Sequence, residues 1–310
     1  MAICEWRTQL GAAMVLACGL AAQPAVAAAG KLSLDVDGIK RTAIIVEHSR
    51  LKRTRRPLVI VLHGSAGDSA RVRRYLGLDD IFGDNGSVLV FPDAHDGHWA
   101  LTGKAGADDG AFFRALIAKL AAQGLVDSRR VFLVGVSAGG MLAMKLVCSE
   151  PATYAGVATL IASLPKDLAA TCQPAQPVPI LMVNGTADAR VPWLGGATTN
   201  IDQVDMVASS DETLAVFAKA ATCGEPAKEI AFTSRSPKTR AFLDRFSNCK
   251  VPVERVRIEG GGHSIPGRRG GIDPAVPAAA QNNDFDSARL IYDFFKKLSA
   301  PKAPNSRDEE

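Results

Sequence analysis

The sequence predicts an α/β fold in which a mostly parallel central sheet is flanked by helices. Three observations predict it. Apolar runs at 57–63, 87–91 and 130–136 lack the polar alternation of a half-exposed strand, so both of their faces must be covered. Segments with helical spacing alternate with such runs over most of the chain. With 310 residues, 47% hydrophobic and 22% charged, the chain is long enough for one large core.

Taken in order, residues 31–35 and 42–47 read as entry strands around a turn at Asp37-Gly38. The run at 57–63 ends in His63-Gly64-Ser65, and the run at 87–91 ends in Pro92-Asp93 and a polar loop reaching Trp99. A helix starts near Asp108 or Asp109, either of which can cap it, and carries Phe112, Phe113, Leu116, Ile117 and Leu120 on one face. Residues 141–147 continue as a helix after the strand at 130–136. Strands at 156–161 and 178–183, a helix at 212–221, a last strand at 253–258 and a closing helix at 286–298 complete the pattern. That closing helix turns Leu290, Ile291, Phe294 and Phe295 inward. The stretch 195–248 carries few motifs and is open to a role in a lid.

Residues 1–29 have the form of an export signal: Arg7 lies in the leading region, 10–22 is apolar, and 25–27 offers small residues for cleavage. A second reading takes 15–18 as a lipobox and Cys18 as a lipid-anchored residue. The domain then spans 30–299, and the polar tail 300–310 is predicted to be disordered. No other apolar run reaches the length of a membrane span. Export makes Cys148, Cys172, Cys223 and Cys249 candidates for two disulfides. Sequence neighbours suggest Cys148 with Cys172 and Cys223 with Cys249, although three pairings are possible. Net charge is +4, and no long Lys/Arg block is interleaved with aromatics, which gives nucleic acid binding little support.

Gly-Val-Ser-Ala-Gly at 135–139 sits between an apolar strand and a helix. That is the context of a nucleophile elbow, in which a strained turn holds Ser137 out to a substrate and the helix start offers free N–H groups to an oxyanion. Two other strand ends carry matching chemistry: Asp188 after the strand at 178–183 and His263 after the strand at 253–258. Serine, acid and histidine follow in the chain order of α/β-hydrolase triads. In that arrangement Ser137 attacks an ester carbonyl, His263 carries the proton, and Asp188 fixes the imidazole tautomer.

Leu62-His-Gly-Ser65, Phe91-Pro-Asp93 with Trp99, the serine motif, Gly185-Thr-Ala-Asp188 with Val191-Pro-Trp193, and the glycine-rich segment 260–267 together resemble the esterase family of polyhydroxybutyrate depolymerases and feruloyl esterases. The resemblance runs from about residue 40 to 298. It implies an α/β-hydrolase fold, no metal or organic cofactor, and action on a small ester or oligoester such as a hydroxyalkanoate oligomer or a hydroxycinnamoyl sugar. It carries the nucleophile to Ser137, the acid to Asp188 and the base to His263, with the backbone N–H groups of Ser65 and Ala138 as oxyanion donors. One departure lies at His-Ser-Ile-Pro-Gly, 263–267, where the family often has an aromatic before the proline. It bears on pocket shape rather than on the reaction.

His63, at a strand end, reads as a structural histidine rather than a second base. The two carboxylates and two imidazoles in 93–98 lack a recognisable ligand spacing, so no metal is assigned to them. Trp99 and Trp193 are candidate pocket walls, with half-buried packing an equal alternative for each. Three other readings stay open: a feruloyl or acetyl xylan-type esterase, a peptidase on the same fold, and a non-catalytic surface binding protein.

Overall fold

The computed structural model describes residues 28–47, 55–102, 107–201, 203–267 and 280–298. The expected export signal through residue 27, with Cys18, and the polar tail lie outside these residues. Strands β1 (Ala28–Val36) and β2 (Ile39–Glu47) form a hairpin whose turn residues Asp37 and Gly38 both take positive φ, 53° and 77°. An Asp-Gly pair tolerates that conformation best, and it matches the twist of the flanking strands. The chain continues through β3 (Arg56–Leu62), helices α1 (Ser69–Leu76) and α2 (Leu78–Asp84), β4 (Val88–Pro92), α3 (Asp109–Ala122), β5 (Val126–Val136), α4 (Ala138–Ser149), β6 (Gly156–Leu160), α5 (Lys166–Thr171) and β7 (Ile180–Gly185). A small ribbon of β8 (Gly196–Ala197) and β9 (Met206–Val207) precedes α6 (Ser210–Ala220). The hairpin of β10 (Pro226–Ala231) and β11 (Arg240–Phe246), then β12 (Val253–Glu259) and α7 (Ser287–Lys296), complete the fold.

Ten strands form one sheet in the order β1-β2-β4-β3-β5-β6-β7-β12-β11-β10. The six from β4 to β12 in this order run parallel, and antiparallel pairs extend both edges. The uniformly apolar strands have the predicted cause. Along β3, Leu58, Ile60 and Leu62 enter the core under α3 and α4, while Val59 and Val61 enter the core under α1, α2 and α7. Each of these side chains is fully buried, so truncating one such leucine to alanine costs about 2–5 kcal/mol.

The structure corrects the reading of 195–248. Its second half is not a lid but two further strands that widen the sheet, preceded by α6, whose start is fixed by reciprocal bonds between Ser209 and Glu212. Leu290 is only half-buried on α7, whereas Ile291, Phe294 and Phe295 are buried. Disulfides join Cys148 to Cys172 and Cys223 to Cys249, the pairing that sequence proximity suggests. Among the described residues no helix is long and apolar enough to cross a membrane.

Candidate active site

The carboxyl ends of β5, β7 and β12 are close together in the sheet, and each is followed by one of the three singled-out residues. Ser137 lies between β5 and α4 with φ 52° and ψ −119°, a backbone that non-glycine residues rarely adopt. Its turn closes because its neighbours lack side chains. A Cβ on Gly139 would lie 2.5 Å from the carbonyl oxygens of both Leu62 and His63, and one on Gly135 would overlap the Gly139 backbone. The Ser137 N–H donates to Leu160 O at 2.9 Å, which ties the strained residue to the end of β6.

His263 Nε2 lies 3.1 Å from Ser137 Oγ, and its Nδ1 lies 2.8 Å from Asp188 Oδ2. The other carboxylate oxygen, Asp188 Oδ1, accepts the N–H groups of Arg190 at 2.8 Å and Val191 at 2.9 Å. A carboxylate engaged in this way is an acceptor, so Nδ1 carries a proton, and Nε2 is the ring nitrogen that faces the serine hydroxyl. Ser137, Asp188 and His263 are 5%, 5% and 7% exposed. Burial weakens solvent screening of the three-residue chain.

The loop after β3 abuts the serine: a Cβ on Gly64 would stand 3.3 Å from Ser137 Cβ, and half-buried Ser65 follows. Ala138 is the first residue of α4, where an N–H has no partner within the helix. The two backbone segments expected to face an oxyanion therefore flank Ser137 on adjacent elements.

His63 is part of the support. Its Nδ1–H donates to Gly64 O at 2.8 Å, and its Nε2 accepts Ala94 N–H at 3.2 Å, which defines a neutral ring. Burial lowers its pKa below the usual histidine value, against the opposing effect of the Gly64 bond. Asp93 is likewise engaged, accepting from Thr42 Oγ1 and Ser69 N.

Trp99, a candidate pocket wall, packs against the interior of the fold. The ring is 3% exposed, packs 4.7 Å from the His63 ring and donates its indole N–H to His63 O at 2.8 Å. Its apolar body belongs to the core and its one polar group is satisfied there, so it braces the loop from beneath. Trp193 is half-buried, with the Arg255 guanidinium 4.5 Å from its ring centroid. A cavity of about 720 Å³ lies between α6 and strands β11 and β12, but none of Ser137, Asp188 and His263 lines it.

Two supporting contacts had no sequence signal beyond residue type. Gly260 N–H donates to Thr186 Oγ1 at 2.9 Å and Ala187 N–H to Gly261 O at 2.9 Å, which join the acid and histidine loops. Buried Asp284 accepts from the backbone N–H groups of Arg235, Ser236 and Ala241 and from Asn282 Nδ2. It gathers the segments around the histidine loop.

In sequence the chain is similar to proteins named as esterases. A family model described as Phospholipase/Carboxylesterase matches residues 108–217. NocK of Nocardia uniformis subsp. tsuyamanensis, an esterase by name, is 29% identical over 255 residues, 77% of this chain and 74% of that protein. Feruloyl esterase B of Piromyces equi is 26% identical over 219 residues, 67% of this chain but 39% of that protein. In fold, the chain is similar to an acetyl xylan esterase from Aspergillus awamori, with a TM-score of 0.56 and 14% identity over 76% of this chain and 94% of that one.

Proposed function

We infer that this chain, a serine ester hydrolase of the α/β-hydrolase superfamily, works through Ser137, His263 and Asp188, is exported, and cleaves hydroxyalkanoate oligoesters. The observation that carries the triad is the continuous hydrogen-bonded path from Asp188 Oδ2 through His263 to Ser137 Oγ. In the first half-reaction Oγ attacks the ester carbonyl carbon while Nε2 takes its proton, and the imidazolium formed is stabilised by Asp188. The carbonyl oxygen becomes an oxyanion facing the N–H groups of Ala138 and Ser65. Collapse of the intermediate breaks the ester C–O bond, and the imidazolium returns its proton to the leaving alcohol. Water then attacks the acyl-enzyme by the same steps, with Nε2 taking a proton from water and giving it back to Oγ as the acid departs.

A feruloyl or acetyl xylan-type specificity is the second reading, favoured by the relationship to feruloyl esterase B. The two disulfides favour folding in an oxidising compartment, which agrees with the leader-like composition of residues 1–29. Turnover of a 3-hydroxybutyrate oligomer, methyl ferulate and p-nitrophenyl butyrate by purified protein tests the substrate assignment. Preference for the oligomer supports the first reading, and preference for methyl ferulate replaces it with the second.

A further inference from the structure

The turn that carries Asp188 is held at both ends. At its start, Asp188 Oδ1 binds the Arg190 and Val191 N–H groups. At its far end lies Trp193, five residues on, whose carbonyl accepts the Ser210 N–H at 2.8 Å and whose ring is covered by the Arg255 guanidinium. Arg255 projects from β12, the strand that leads to His263, and its register partner is Met182 of β7, the strand that leads to Asp188.

One guanidinium makes the remaining connections. Arg255 Nη1 donates to Asp211 Oδ1 at 2.5 Å and Ser210 Oγ at 3.2 Å, both in the first turn of α6. Its Nη2 and Nε donate to Asp244 Oδ2 of β11 at 2.9 and 3.2 Å. The residue is 8% exposed. Burying a cation is costly, and here the cost is offset by two carboxylates and an aromatic face. A surface-seeking lysine cannot reproduce this set, because its ammonium lacks both the planar fork and the stacking face. The capping box at Ser209 and Glu212 gives α6 a fixed start against which the cluster is anchored.

We propose that Arg255 is a positioning residue for the reaction: by stacking on Trp193 and gripping α6 and β11, it sets the turn that presents Asp188 to His263. The inference rests on the triad reading above. It assigns Trp193 to this clamp and makes Arg255 act through the acid, without contact with substrate.

Steady-state kinetics with p-nitrophenyl butyrate, read beside the low-field proton resonance of the Asp188–His263 hydrogen bond, tests this on the full chain. In Arg255→Met, kcat falls about 10- to 100-fold while KM stays within about 3-fold, because misplacement of a catalytic group acts on the transition state. The low-field resonance broadens or is lost. Arg255→Lys recovers only part of kcat. Trp193→Leu, which leaves the ion pairs in place, lowers kcat in the same direction. A folded Arg255→Met protein with wild-type kcat and an unchanged resonance would overturn the proposal. Should Arg255→Met not fold, unchanged kcat in both Arg255→Lys and Trp193→Leu overturns it instead. Ser137→Ala, measured in parallel, separates the two failures: full turnover in that variant sinks the triad itself, whereas a loss there with a flat Arg255 series sinks only the clamp.

Discussion

Thr186 Oγ1 accepts the Gly260 N–H at 2.9 Å, joining the loop that carries Asp188 to the loop that carries His263. Gly185 makes the same approach possible, since a Cβ there would overlap the Gly261 carbonyl. The acid and histidine loops are thereby bonded to each other. Thr186→Val keeps the shape and removes the acceptor, so unfolding free energy drops by about 0.5–1.5 kcal/mol. The kcat for a short-chain ester falls with KM little changed. Urea unfolding and steady-state kinetics check both parts; a variant indistinguishable from wild type would show that the loops are held by packing alone.

The buried neutral state of His63 predicts a pH dependence with a definite sign. Burial depresses its pKa in the fold, whereas in the unfolded chain the ring titrates near the ordinary value of about 6.5. Below that pH the unfolded chain binds a proton that the folded chain refuses, so this contribution is lost as pH falls from about 6.5. Above it, no change arises from this ring. His63→Gln lowers stability at pH 7.5 through the lost Ala94 bond and Trp99 contact, but flattens the slope between pH 6.5 and 5. Urea midpoints for both proteins across this range decide the matter, and equal slopes would contradict the assignment.

Asp284 acts at lower pH. Burial raises its pKa, but hydrogen bonds from Arg235 N, Asn282 Nδ2 and Ser236 outweigh that effect and hold it below the usual carboxylate range. The stabilisation is present above the unfolded value of about 3.9 and is lost as pH falls through the lower folded value. Asp284→Asn replaces one acceptor oxygen with a donor facing Ala241 N–H or Asn282 Nδ2. The expected cost is about 1.5–3 kcal/mol at pH 7, shrinking as pH falls below about 3.9, as read from thermal or denaturant unfolding. A gap that stays constant with pH would rule out the carboxylate charge as its source.

The two disulfides close short segments, with separations of 24 and 26 residues. The chain-entropy model assigns each about 3.5 kcal/mol. Replacing Cys223 and Cys249 together by alanine lowers the unfolding free energy by that order without changing kcat at 25 °C, since this pair joins the end of α6 to the segment before β12, away from Ser137. Denaturant unfolding of the variant and of the oxidised parent provides the comparison. Unchanged stability would show that the cross-link constrains little in the unfolded chain.

The central strands and the three converging residues were legible because their signals are local and strong. A buried parallel strand has no polar face, and the serine turn requires glycine where backbones approach. Helices α1 and α2 were not legible. In α1 only Val72 and Leu76 of the larger apolar residues are buried, and three arginines dominate its eight residues, although Asp68 at the start and Gly77 at the end are ordinary caps. Helix α6 starts at Ser210, two residues before the expected start at 212, because the Ser209-Glu212 capping box fixes its first turn. Strands β10 and β11 carry alternating charge at a sheet edge, where the apolar signal is weak. For Trp99 the sequence leaves pocket wall and core packing equally open; the neighbouring carbonyl that satisfies its N–H is a tertiary feature. Arg255 was hidden for the same reason, since its partners come from β11, α6 and the Trp193 turn.

The most direct test of the central claim is turnover of p-nitrophenyl butyrate by Ser137→Ala beside the wild-type protein, with folding of both verified by circular dichroism. The account predicts clear wild-type turnover and a loss on the order of 10³-fold or more in the variant, because removal of the nucleophile leaves only binding and oxyanion stabilisation. Wild-type turnover that survives the substitution would contradict it and place the ester chemistry at another side chain.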